Sequence, residues 1–67
     1  MMSVVINGLP RQIPRGISVA RLLELEQEPA RHVLVEVNGV YLPGRDYAGR
    51  LLQEGDRIEI ILPAFGG

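Results

Sequence analysis

The chain contains neither cysteine nor lysine. Without cysteine there is no disulfide framework, no thiolate metal site and no sulfur nucleophile, so stability must come from packing. Without lysine, all seven cations are arginine and the amino terminus is the one amine. Aromatic residues are scarce: Tyr41, Tyr47 and Phe65. No apolar stretch approaches the ~20 residues of a membrane span. The first residues lack the basic and apolar regions of a signal peptide, so a soluble cytoplasmic protein with no membrane partner is expected. Seven basic residues against eight acidic ones leave a formal charge of -1, with no run of like charge longer than two. A nucleic-acid binder would carry a basic patch, and none is expected here. Sixty-seven residues form one small domain, 1–67, with little volume for an active-site cleft and its scaffold together. A hydrophobic fraction of 46% is ample for a compact fold.

What is present begins with the ending, Gly66-Gly67, directly behind the apolar run Ile58 to Phe65. Glycine accepts backbone conformations closed to other residues, so two of them make a thin strap able to enter a narrow channel. A tail over 63–67 is expected to be flexible, as chain ends commonly are.

Ser3-Val4-Val5-Ile6 and Leu9 to Ile13 flank Asn7-Gly8, a hairpin signal because both central positions of a type I′ turn need positive φ. Pro10 and Pro14 cannot donate to a ladder, which places the second strand at a sheet edge. Ser18 offers an N-cap to Val19–Glu26, where Val19, Leu22, Leu23 and Glu26 stand at helical spacing; Pro29 stops this helix by Glu28. Val33 to Val37 reads as a strand, Asn38-Gly39 as a second hairpin turn and Val40 to Leu42 as its return. A polar connection from Arg45 to Glu54 should anchor inward through Tyr47, Leu51 and Leu52, and Arg57 to Leu62 is the last strand. Two hairpins, one helix and a final strand suit an α+β, β-grasp (ubiquitin-like) mixed sheet, the helix packed across one face and the last strand central.

The segments Val4-Val5-Ile6-Asn7-Gly8, Val19-Ala20-Arg21-Leu22-Leu23, Val35-Glu36-Val37-Asn38-Gly39 and Leu52 to Ile60, with the terminal Gly66-Gly67, resemble the ThiS/MoaD class of ubiquitin-like sulfur carriers. Glu-Val-Asn-Gly and Glu-Gly-Asp-Arg-Ile-Glu are most similar to the thiamin-pathway carriers. The tail Leu62-Pro63-Ala64-Phe65 is instead similar to those of molybdopterin-type carriers and of a carrier serving cysteine synthesis. The resemblance implies that an E1-like adenylyltransferase uses ATP to adenylate the Gly67 carboxylate. Sulfur from a persulfide donor then displaces AMP to leave a thiocarboxylate, which passes sulfur to a synthase such as thiazole synthase. No cofactor is bound by the carrier itself. Gly66, Phe65 and Ala64 would thread the partner's active site.

The chain's own inventory holds no catalytic group, which fits a carrier rather than an enzyme. His32, the single histidine, reads as a surface residue at the start of a strand. Glu24, Glu26 and Glu28 diverge around a helix and read as a solvated acidic face, so no metal is implied. If Val4, Ile6, Val33, Val35, Val37, Ile58, Ile60 and Leu62 face the helix, the two-residue period sends Val5, Leu34 and Ile61 to the opposite face as a partner-docking patch. Phe65 is expected to insert into a partner's pocket or to pack back on its own sheet. The competing readings are an interaction module whose glycines are incidental and a modifier attached to the lysines of other proteins.

Overall fold

Both Asn-Gly pairs turn the chain as their chemistry requires: Asn7 and Gly8 take φ of 50° and 82°, Asn38 and Gly39 take 54° and 82°. The computed structural model, which describes residues 1–63, places these turns in two hairpins. The first pairs β1 (Met2–Ile6) with β2 (Leu9–Ile13), and the second pairs β3 (Leu34–Val37) with β4 (Val40–Leu42), both antiparallel. Between them lies α1 (Val19–Leu25), and β5 (Arg57–Ile61) closes the chain's described part. The sheet order is β2-β1-β5-β3-β4, with β5 central, parallel to β1 and antiparallel to β3. This is the β-grasp arrangement. The proline-bearing β2 sits at one edge, where its missing donors cost nothing.

The core forms where the two-residue period of the strands meets the helical stripe. Met2, Val4 and Ile6 of β1, Val35 and Val37 of β3 and Ile58 of β5 are buried against Val19, Leu22 and Leu23 of α1. Ser18 caps the helix, its Oγ accepting from Arg21 N at 3.0 Å. Two amides of the first turn, free of intrahelical partners, instead donate to the long connection: Val19 N to Arg50 O and Ala20 N to Tyr47 O.

Several sequence expectations are corrected, although the helix does end, at Leu25, within the limit Pro29 sets at Glu28. Gln27 takes φ 57°, with Gln27 N donating to Glu24 O and Glu28 N to Leu23 O, a Schellman closure with glutamine where glycine is usual. The segment before β3 is a 3₁₀ turn, Ala30–His32, held by His32 N to Pro29 O, so His32 precedes the strand, which starts at Leu34. Of the three expected anchors, Tyr47 and Leu52 are buried but Leu51 is 55% exposed. Leu51 bridges to Ser18 in an extended pairing, where successive side chains point oppositely, so Leu51 and Leu52 cannot both face inward. Leu62 is 62% exposed, not in the core, because the β5 ladder ends at Ile61 and no neighbouring strand brackets it. Among the described residues, no helix is long and apolar enough to cross a membrane.

Asp56 is the single buried charged side chain among the described residues. Its Oδ1 accepts from Asn38 Nδ2 at 3.0 Å and its Oδ2 from Gln53 N at 2.8 Å, with Arg50 Nη2 3.4 Å from Oδ2. The carboxylate thus ties the β3–β4 turn, the long connection and the start of β5 together. Asp56→Ala leaves these donors unmatched and should destabilise the fold by about 2–4 kcal/mol in urea denaturation. The Tyr47 hydroxyl lies 3.5 Å from Val33 O, and burial, with a smaller contribution from Tyr41, raises its pKa. The folded chain therefore prefers the neutral phenol. This stabilisation is complete below about pH 10, the unfolded value, and is lost as pH rises through the raised one. Urea midpoints should fall over that alkaline range, and Tyr47→Phe should flatten the fall.

Candidate functional site

The sequence points to the C-terminal strap, and the structure describes the base from which it leaves. Ala64, Phe65, Gly66 and Gly67 lie outside the described residues. Of the expected tail, Pro63 is described and is half-buried.

β5 is held at both ends by the side chains of the two turn asparagines. At its start, Asn38 Oδ1 accepts from Arg57 N at 2.9 Å while Asn38 N donates to Arg57 O at 2.7 Å. Near its end, Asn7 N donates to Ile58 O at 2.9 Å and Asn7 Oδ1 accepts from Ile60 N at 2.8 Å. Sequence reading assigned both asparagines to turn geometry alone and missed these bonds. The available signal was asparagine itself: glycine would meet the φ requirement but could not supply an acceptor.

The residues expected to form a docking patch fall on the face away from the helix, but not in one cluster. Leu34 and Ile61 are register partners, 44% and 40% exposed, at the tail end of the sheet. Val5 is half-buried and partners Arg57, at the other end of β5. Between them sit Glu36 and Glu59, also register partners, with Tyr41 of β4 opposite Glu36 and 57% exposed. Two carboxylates directly opposed across a ladder repel. On the same face, the Leu34–Ile61 pair lies two register positions along from the acidic pair, and Tyr41 flanks Glu36 on the other side.

On the helix side, a shallow groove of about 220 Å³ opens beside the same strand end, between Leu9, Ile60 and the helix terminus with Glu26 and Glu28. Arg11 Nη1 lies 2.6 Å from Glu26 Oε1. The contact is close in distance but poorly aligned, and Oε1 receives no hydrogen bond of proper geometry. Glu26 therefore joins helix to edge strand as an ion pair, and of the three helix glutamates only Glu24 and Glu28 are left to the acidic face, Glu24 itself pairing with Arg21. His32 is exposed in its 3₁₀ turn. Among the described residues, no three His, Cys, Asp or Glu side chains converge as metal ligands would.

The sequence matches the model of the ThiS family over residues 4–67. The fold is similar to the crystal structure of a thiamine biosynthesis protein (ThiS) from Geobacter metallireducens, with a TM-score of 0.86 and 29% identity, covering 98% of this chain and 100% of that one. It is also similar to an NMR solution structure of a thiamine biosynthesis protein from the same organism, with a TM-score of 0.78 and 28% identity, covering 98% of this chain and 86% of that one. No curated protein matches the sequence.

The two faces of the sheet should respond differently to substitution. Leu34→Ser and Ile61→Ser, at half-exposed positions, should each cost less than ~1 kcal/mol. Val35→Ala, on the buried face, should cost about 2–3 kcal/mol by urea denaturation.

Proposed function

Because the chain belongs to the ThiS family, we propose that it is a sulfur carrier of the thiamin pathway, modified at the Gly67 carboxylate. A carboxylate resists nucleophiles because its charge is delocalised and its oxygen is a poor leaving group. In this reading an E1-like enzyme joins a Gly67 oxygen to the α-phosphorus of ATP and releases pyrophosphate. The resulting acyl-adenylate carries AMP as a good leaving group. The outer sulfur of a donor persulfide displaces AMP to form an acyl disulfide. A second thiol then cleaves its S–S bond, leaving the thiocarboxylate on Gly67 and a disulfide on the thiol side. Sulfur is more polarizable and more nucleophilic than oxygen, so this terminus attacks an electrophilic carbon held by a thiazole-forming synthase. The carrier binds no cofactor of its own; ATP is consumed by its partner.

The observation that supports this most directly is the extent of the family match, which runs through the central strand and includes Gly66 and Gly67. The base of the strap also suits the role. It leaves from the middle strand of the sheet, hydrogen-bonded on both sides, with Leu34, Ile61 and Tyr41 exposed beside it as a surface for the activating enzyme. Val5 would contact the same enzyme at the far margin of that face. Ala64, Phe65 and Gly66 would occupy its channel, with Phe65 filling a pocket. Serving molybdopterin or cysteine synthesis is the alternative favoured by the proline-bearing tail.

Incubation with the E1-like enzyme of the same genome, ATP, a persulfide source and a thiol reductant should change the intact mass by the replacement of one oxygen with sulfur. Deletion of Gly67 should abolish the change. An unchanged mass, with an enzyme pair that demonstrably modifies another carrier, would overturn the assignment. Isopeptide conjugates to target lysines in lysate would point to the modifier reading instead.

A further inference from the structure

We propose that Asn7 is a positioning residue that aims the C-terminal strap, a role that rests on the carrier reading above. β1 stops at Ile6 while β5 continues to Ile61, so the β1-facing edge of β5 outruns its neighbour. The last main-chain bond on that edge is Asn7 N to Ile58 O. At Asn7 the backbone enters the left-handed region, φ 50°, and bends into the turn. Its own carbonyl can no longer follow β5. The next donor on the edge, Ile60 N–H, is met by the Asn7 side chain at 2.8 Å. Only the amide oxygen can serve there, since the partner is a donor.

On the other edge, the β3 ladder ends with Leu34 opposite Ile61. Ile60 and Ile61 are therefore the last residues fixed from both sides, and Pro63 restricts Leu62 to extended backbone two residues before the strap. Leverage makes this place sensitive. Gly67 follows Ile60 by seven residues, so the direction fixed at Ile60 is the direction in which those residues leave the sheet. Reacting groups misplaced by about 1 Å already lose much of their rate. The Asn7–Ile60 bond narrows that swing before the activating enzyme is met.

Asparagine combines two properties here: tolerance of positive φ and a short side chain ending in an acceptor. Asn7→Gly keeps the first and removes the second, and Asn7→Asp keeps both. Asn38→Gly removes the matching bond at the opposite end of β5, where no strap follows. Amide exchange by NMR, together with ATP–pyrophosphate exchange by the E1-like enzyme of the same genome, separates aiming from folding. Both are measured at a temperature where all variants are folded by circular dichroism.

Asn7→Gly should lose about an order of magnitude in Ile60 amide protection, the loss expected for one hydrogen bond. It should lose a comparable factor in kcat with KM for the carrier unchanged. Asn7→Asp should restore both, and Asn38→Gly should keep wild-type kcat. Unchanged Ile60 protection in Asn7→Gly, wild-type kcat in that variant, or an equal loss in Asn38→Gly would each overturn the proposal. If the wild-type chain supports no pyrophosphate exchange with an enzyme active on another carrier, the carrier reading fails and takes this one with it.

Discussion

The central strand must find partners for the amides and carbonyls on both its edges, and the backbone of its neighbours does not suffice. Each such group left to water forgoes an intramolecular hydrogen bond, worth about 0.5–1.5 kcal/mol. β1 is too short at the far end of β5, and β3 turns away at the near end. Asparagine side chains from the two hairpin turns supply the missing acceptors, Asn38 at Arg57 and Asn7 at Ile60. The turns and the sheet are thereby coupled: the same residues that reverse each hairpin also seat the strand between them.

The other contacts reinforce that seat. Asp56 immediately precedes β5 and gathers Asn38, Gln53 and Arg50 around one buried carboxylate. Gly55 N donates to Ser3 O, drawing the start of β1 against the same turn. Below, a helix of seven residues covers Val4, Val35 and Ile58, and two first-turn amides without intrahelical partners are taken up by the carbonyls of Tyr47 and Arg50. A helix this short is marginal by itself, so it depends on the sheet and the long connection for its existence. Arg11 and Glu26 add a charge contact between its far end and the edge strand.

On the proposed carrier reading, the chemistry belongs to the end of the chain. The exposed face offers Leu34, Ile61 and Tyr41 beside the opposed Glu36 and Glu59, a pair that repels within the folded chain. Exposed apolar area of this kind fits contact with a partner. Together with the strap rooted in the central strand, this surface fits a protein that is itself the substrate of larger enzymes.

Much of the architecture was legible from local pattern. Asn-Gly pairs, alternating β-branched runs, prolines at an edge and Ser18 before an apolar helical stripe each act over a few residues, so the strand order in sequence, the turns, the helix start and the buried face could all be read before folding. The resemblance to the family likewise rested on segments contiguous in the chain. What depended on distant segments was not legible. Gln27, an ordinary residue by propensity, closes the helix in a left-handed turn that nothing local marks; Leu51 and Leu52 divide between solvent and core where Ser18 pairs with Leu51. Val5 proved separated from Leu34 and Ile61 because strand register, which local pattern leaves open, sets distances along the sheet. The asparagine bonds to β5 span 19 and 53 positions in sequence. Short-range preference specifies conformation, but a hydrogen bond between residues so far apart exists only once the tertiary structure has brought their backbones side by side.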